Sequence, residues 1–139
     1  MKTFYTLDCK QEYGFVVLGI NSHSKAYKLC WSLNQIRYLN FEKTDCHKIN
    51  KDLSFARYKS ENNEGVSINL LSNRSLKGYM IPKQKSINYF LIISLDFWRV
   101  KKEDFLSRLR KIKEILLVFE LNLFQEKYSE RFIIYDKEN

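Results

Sequence analysis

Apolar and polar residues alternate along this chain in blocks short enough for strands, interrupted twice by stretches with helical spacing. Tyr13 to Ile20 carries Phe15, Val16, Val17, Leu18 and Ile20 in one β-branched and aromatic run that ends at Asn21-Ser22, the composition of a largely buried strand. From Ser24 to Asn40 the apolar residues Ala26, Leu29, Cys30, Leu33 and Ile36 recur at steps of three and four. That spacing puts them on one face of a helix, with Ser22 or Ser24 as its cap. Tyr27, Trp31 and Tyr38 make a second stripe beside the first, more apolar perimeter than one sheet contact needs, so this flank is expected to face a partner. Phe41 to Asp52 reads as a polar connection. Leu53 to Tyr58 and Val66 to Leu71 then alternate on either side of Glu61-Asn62-Asn63-Glu64-Gly65, a hairpin with Gly65 at its turn.

Asn73 to Gly78 reads as a loop, and Pro82 excludes Ile81 and its neighbours from a helix interior. Ile87 to Leu95 is a strongly apolar strand, Lys101 to Lys113 a second helix with Phe105, Leu109 and Ile112 on its apolar face, and Leu116 to Leu121 a returning strand. Phe132 to Tyr135 is either an edge strand or a docked aromatic tail. Strand, helix, hairpin, strand, helix, strand is the order of an α+β ferredoxin-like or related two-layer sandwich. Its sheet is mainly antiparallel, with two helices on one face and one or more additional strands. The opposite sheet face, if apolar, needs a cover: a partner, a dimer mate or the terminal segments, so a homodimer is one expectation.

Composition narrows the class. A chain of 139 residues, 45% of them hydrophobic, suits a single domain spanning 1–139, and no apolar run approaches the length that a bilayer demands. The start reaches Asp8 before an apolar segment forms, so no secretory leader is expected and the cytoplasm is the expected compartment. Cys9, Cys30 and Cys46 are an odd number without metal-type spacing, as suits reduced thiols. The net charge of +8 has a location: Arg74 to Lys113 holds 11 basic residues against Asp96, Glu103 and Asp104, while the rest of the chain balances. Such a surplus points to a polyanion, although 17 Lys to 7 Arg, 12 Ile and only 2 Ala also fit codon drift in an AT-rich genome.

Candidate chemistry is sparse. There is no phosphate-cradling glycine loop and no nucleophile elbow. His23 stands where a strand ends and a helix starts, a junction at which catalytic groups and anions are often held, but no acid is paired to it by spacing. Cys46-His47 with the other cysteines and His23 lacks any metal-ligand spacing, and neither a metal nor a cofactor is expected. In the second helix the cations border the apolar stripe, which snorkelling explains. The better polyanion candidates are the loop residues Arg74, Lys77, Lys83 and Lys85, interleaved with Tyr79, because single-stranded RNA pairs phosphates with cations and stacks bases on aromatic rings.

The run Ile81-Pro82-Lys83-Gln84-Lys85-Ser86-Ile87-Asn88-Tyr89 resembles the signature of the bacterial IPExxxVDY family, Ile-Pro-Glu, three residues, then Val-Asp-Tyr. Gly19-Ile20-Asn21-Ser22-His23 and Tyr27 to Asn34 are similar to that family's first strand and helix, so the likeness spans most of the chain. It implies a bacterial origin and brings no activity with it. Here the signature's Glu is Lys83 and its Asp is Asn88, which removes any carboxylate chemistry at both positions and leaves the motif as a bend leading into a central strand.

The leading expectation is a non-enzymatic interaction module that binds a protein or RNA partner through the Arg74 to Lys85 loop and the Tyr27, Trp31, Tyr38 flank. An ACT-like domain that senses small ligands as a dimer is the alternative, by analogy of fold. An enzyme using His23 is the third, and requires a deep pocket around that side chain.

Overall fold

The computed structural model describes residues 13–62 and 66–135. The chain runs through β1 (Phe15–Asn21), α1 (Ala26–Leu33), β2 (Glu42–Lys43), β3 (His47–Asn50), β4 (Leu53–Phe55) and β5 (Arg57–Glu61). It continues through β6 (Ser67–Ser72), β7 (Tyr89–Ser94), α2 (Leu95–Arg110), β8 (Leu117–Glu120) and a 3-10 turn at Ser129–Phe132. Six strands form one antiparallel sheet in the order β2-β5-β6-β7-β1-β8, and β3 pairs with β4 as a separate hairpin. Within that order, β8-β1-β7-β6 is the ferredoxin-like arrangement: β1 lies between β7 and β8, and β7 between β1 and β6. The hairpin of β5 and β6 extends the sheet, with β2 at its outer edge. The fold is α+β. Gly65 and Cys9 lie outside the described residues.

Strand alternation separates two cores. Val16, Leu18 and Ile20 of β1 and Leu91 and Ile93 of β7 face the helices, where Leu29 and Leu33 of α1 and Phe105 and Leu109 of α2 are fully buried against them. Val17, Phe90, Ile92 and Leu71 face the other way. They are covered by Phe55 from β4, Met80 and Ile81 from the loop before β7, and Leu121, Leu123 and Phe132 from the segment after β8. Phe132 is fully buried, its ring edge-on to Phe90 with centroids 4.9 Å apart. The chain thus covers both faces of its own sheet, and the terminal segment answers the need that suggested a dimer mate there. Phe132 to Tyr135 adds no strand.

Several boundaries differ from the sequence expectation, each for a local reason. The first helix ends at Leu33 rather than Asn40: Asn34 Oδ1 accepts from the Phe41 amide at 2.6 Å while its Nδ2 donates to the Phe41 carbonyl at 3.1 Å, which folds the chain back. Neither serine caps α1. Lys25 occupies that position, and Ser22 Oγ accepts from the Ser24 amide at 3.1 Å instead. The expected polar connection from Phe41 to Asp52 contains β2 and β3, and the run from Leu53 to Tyr58 splits at Ala56, whose carbonyl accepts from Ser72. The second helix begins at Leu95, not Lys101, because Ser94 Oγ accepts from the Phe97 amide and buried Phe97 and Trp98 anchor the first turn. Gly14 enters β1 with φ of 65°, a conformation that favours glycine, and its carbonyl accepts from Leu95 at the far end of β7.

Candidate functional site

The antiparallel register decides which loops meet. Ile20 of β1 and Ser72 of β6 both pair with Tyr89, the first residue of β7, so the segments leaving β1 and β6 and the segment entering β7 converge at one end of the sheet. Polar side chains fasten them. Asn88 Oδ1 accepts from the Ser22 amide at 2.8 Å, Asn21 Nδ2 donates to the Ser86 carbonyl at 2.9 Å, and the Tyr89 hydroxyl donates to the Ser24 carbonyl at 2.6 Å. Asn73, with no exposed surface, shapes the loop between β6 and β7. Its Nδ2 donates to the carbonyls of Gln84 and Ile87 at 2.9 and 2.8 Å, and its Oδ1 accepts from the Ile81 amide at 3.1 Å. Two tight turns follow, from the Gln84 amide to Ile81 and from the Ile87 amide to Gln84, so the signature-like run does bend the chain into β7.

An open groove of about 780 Å3 lies between the three segments. His23, Lys25, Arg74 and Lys85 line it together with Tyr79, and among the described residues no carboxylate lines it. The Lys85 ammonium lies 5.4 Å from the Tyr79 ring centroid, and Arg74 pairs with Tyr79 across the loop in a single β-bridge. From behind, Arg131 Nη1 donates to the carbonyls of Tyr79 and Met80 at 3.0 and 3.1 Å, which ties the aromatic residue to the C-terminal segment. With no acid among the described lining residues, the cations favour a positive potential in the groove, and serine hydroxyls between them supply neutral donors and acceptors.

Four of the residues singled out in the sequence therefore come together: His23, Arg74, Tyr79 and Lys85. Lys77 and Lys83 do not line the groove; both are exposed, and Lys77 lies 3.7 Å from Asp52. The expected aromatic flank splits. Tyr27 and Trp31 are 70% and 66% exposed on α1, whereas Tyr38 turns inward against Phe97 and Phe105 with centroids 5.8 and 6.4 Å away. Burial, reinforced by its hydrogen bond to Asp104, pushes the Tyr38 phenol up to about 12. His23 is exposed at the open groove, with no acid beside it among the described lining residues. On α2, Lys101 and Lys102 lie over the Tyr38 and Trp98 rings at 5.8 and 5.7 Å, as snorkelling cations do.

Cys46 and His47 have separate environments: the thiol is exposed, while His47 is buried and its Nε2 donates to the Arg131 carbonyl at 2.6 Å. Burial pushes the Cys30 thiol up to about 12, which keeps it protonated and unreactive. Lys25, Asn73 and Asn88 were not recognisable as site residues from sequence. Lys25 carries no motif, and the two asparagines act by long-range hydrogen bonds that spacing does not reveal. Among the described residues no three His, Cys, Asp or Glu side chains gather in a way that would hold a metal ion, and no helix is long and apolar enough to cross a membrane. Comparison with protein-family models finds no match to this chain, and comparison with curated proteins finds no relative.

Proposed function

We propose that this protein is a binding module for single-stranded RNA in the bacterial cytoplasm, related to the IPExxxVDY family its signature resembles. One observation carries the reading: His23 and Lys25 from the segment after β1, and Arg74, Tyr79 and Lys85 from the loop before β7, line one groove that has no carboxylate among its described lining residues. Lys25, Arg74 and Lys85 pair with successive phosphates, while Tyr79 and His23 offer faces on which unpaired bases stack. Stacking on Tyr79 and His23 needs bases free of a partner strand, which favours a single strand over a duplex. Serine hydroxyls in the lining suit the ribose 2′-hydroxyl, which both donates and accepts.

Fluorescence anisotropy with a labelled single-stranded RNA of about 12 nucleotides tests this. Tyr79→Ala is expected to weaken binding by about 1–3 kcal/mol, the usual worth of a stacked base. Trp31→Ala, on the exposed face of α1, leaves it unchanged. The same strand annealed to its complement binds more weakly. Displacement of the RNA by polyglutamate at equal charge concentration, with no effect of Tyr79→Ala, would instead make the groove a docking point for an acidic protein.

A further inference from the structure

Arg131 sits in the 3-10 turn of the C-terminal segment and does not line the groove beside His23, yet it holds the one tyrosine of the loop on which a base would stack. Its own place is fixed first. Phe132, the next residue, is fully buried against Phe90, the Arg131 amide donates to the Tyr128 carbonyl at 2.9 Å, and the Arg131 carbonyl accepts from His47 Nε2 at 2.6 Å. The guanidinium then lies over the Tyr128 ring, 4.3 Å from its centroid, which orients the donors it carries.

One of those donors, Nη1, serves two successive carbonyls, Tyr79 at 3.0 Å and Met80 at 3.1 Å. Successive carbonyls of an extended chain point to opposite sides, so their convergence on one nitrogen goes with a bend, which the backbone makes at Met80. Among the described residues no backbone amide donates to either carbonyl. The other side of the bend is held by the Met80 amide, which donates to the Asn73 carbonyl at 2.8 Å, and by the fully buried Met80 side chain. A ring presented from a backbone held in this way has less freedom to lose when a ligand packs on it. We infer that Arg131 is a positioning residue for RNA binding: without touching the strand, it fixes the bend at Met80 and so presents Tyr79 to a base. The inference rests on the RNA reading of the groove.

A double-mutant cycle tests it, with the same labelled single-stranded RNA read by fluorescence anisotropy. Arg131→Met keeps the aliphatic stem and removes the donors; it should weaken binding by about tenfold while circular dichroism shows the fold retained. In a Tyr79→Ala background the same change should cost less than about twofold, because the ring it positions is gone. Arg131→Lys, which keeps the charge and one donor nitrogen on a shorter stem, should lose about threefold, and it carries the cycle if the methionine variant does not fold. Lys127→Met, an equal change of charge in the same segment, should leave affinity unchanged. The inference is overturned if the folded Arg131→Met protein binds like the parent, if its loss persists in full without Tyr79, or if Lys127→Met loses as much. A parent that binds no RNA overturns the reading of the groove and this inference with it, an outcome distinct from the other three, in which the parent binds.

Discussion

The backbone amide of Asn73 donates to the carbonyl of Asn88 at 3.0 Å, fastening the end of β6 to the entry of β7 across the loop that carries Arg74, Tyr79 and Lys85. Their side chains divide the remaining work. Asn73 turns into the loop and satisfies Gln84, Ile87 and Ile81, while Asn88 reaches across to Ser22 and so links the loop to the segment that carries His23.

Asn73→Ala is therefore expected to cost about 3 kcal/mol in urea unfolding, because it leaves buried carbonyl and amide partners unpaired. Asn73→Asp removes both donated bonds and buries a charge, so it costs at least as much. Asn88→Asp keeps the acceptor for Ser22 and should stay within about 1 kcal/mol of the parent. An Asn73→Ala protein as stable as the parent would show that the loop is held by something else.

The second core depends on the terminal segment. Phe132→Ala removes a fully buried ring packed on Phe90, which should cost about 3–5 kcal/mol and lower Tm by roughly 10 °C or more. The apolar face thus uncovered should then bind a hydrophobic dye, read by fluorescence, or drive association beyond the parent's mass, read by light scattering.

His47 makes stability depend on pH. Burial is the main cause that lowers its pKa, nearby Arg57 adds to it, and the hydrogen bond to the Arg131 carbonyl opposes both. The unfolded chain therefore takes up a proton near pH 6.5 that the folded chain resists. Stability is full above that value and falls as pH drops below it, down through the folded pKa. Tm measured from pH 7.5 to 5 should show this decline, and His47→Gln, whose amide also donates, should flatten the part that His47 contributes.

Much of the fold was legible because β1 and β7 are buried on both faces and read as continuous apolar runs, Phe15 to Ile20 and Tyr89 to Ile93, while the β6 segment shows as the alternating run Val66 to Leu71. The end of α1 was not, since Ile36 and Leu39 keep up the apolar pattern beyond the turn that Asn34 enforces. The short strands β2 and β3 are largely exposed and polar, so they carry no periodic signal. Ser94 followed by Asp96 is a legible helix start that the apolar pattern of Tyr89 to Leu95 obscured. At the groove, Arg74, Tyr79 and Lys85 were visible as a basic and aromatic loop and His23 as a junction residue. Their meeting was not visible, because it follows from the pairing of Ile20 and Ser72 with Tyr89.

The salt dependence of binding to a single-stranded RNA tests the proposed function most directly. Three phosphate contacts, from Lys25, Arg74 and Lys85, predict a log–log slope of about −2 between 50 and 300 mM salt, at about 0.7 for each contact on a single strand. Arg74→Ala with Lys85→Ala should reduce the slope to about −0.7, while Lys102→Ala with Lys111→Ala, equal in charge but outside the groove, should leave it unchanged. Equal slopes and affinities for the two double variants, or no binding at 50 mM, would contradict RNA recognition in this groove.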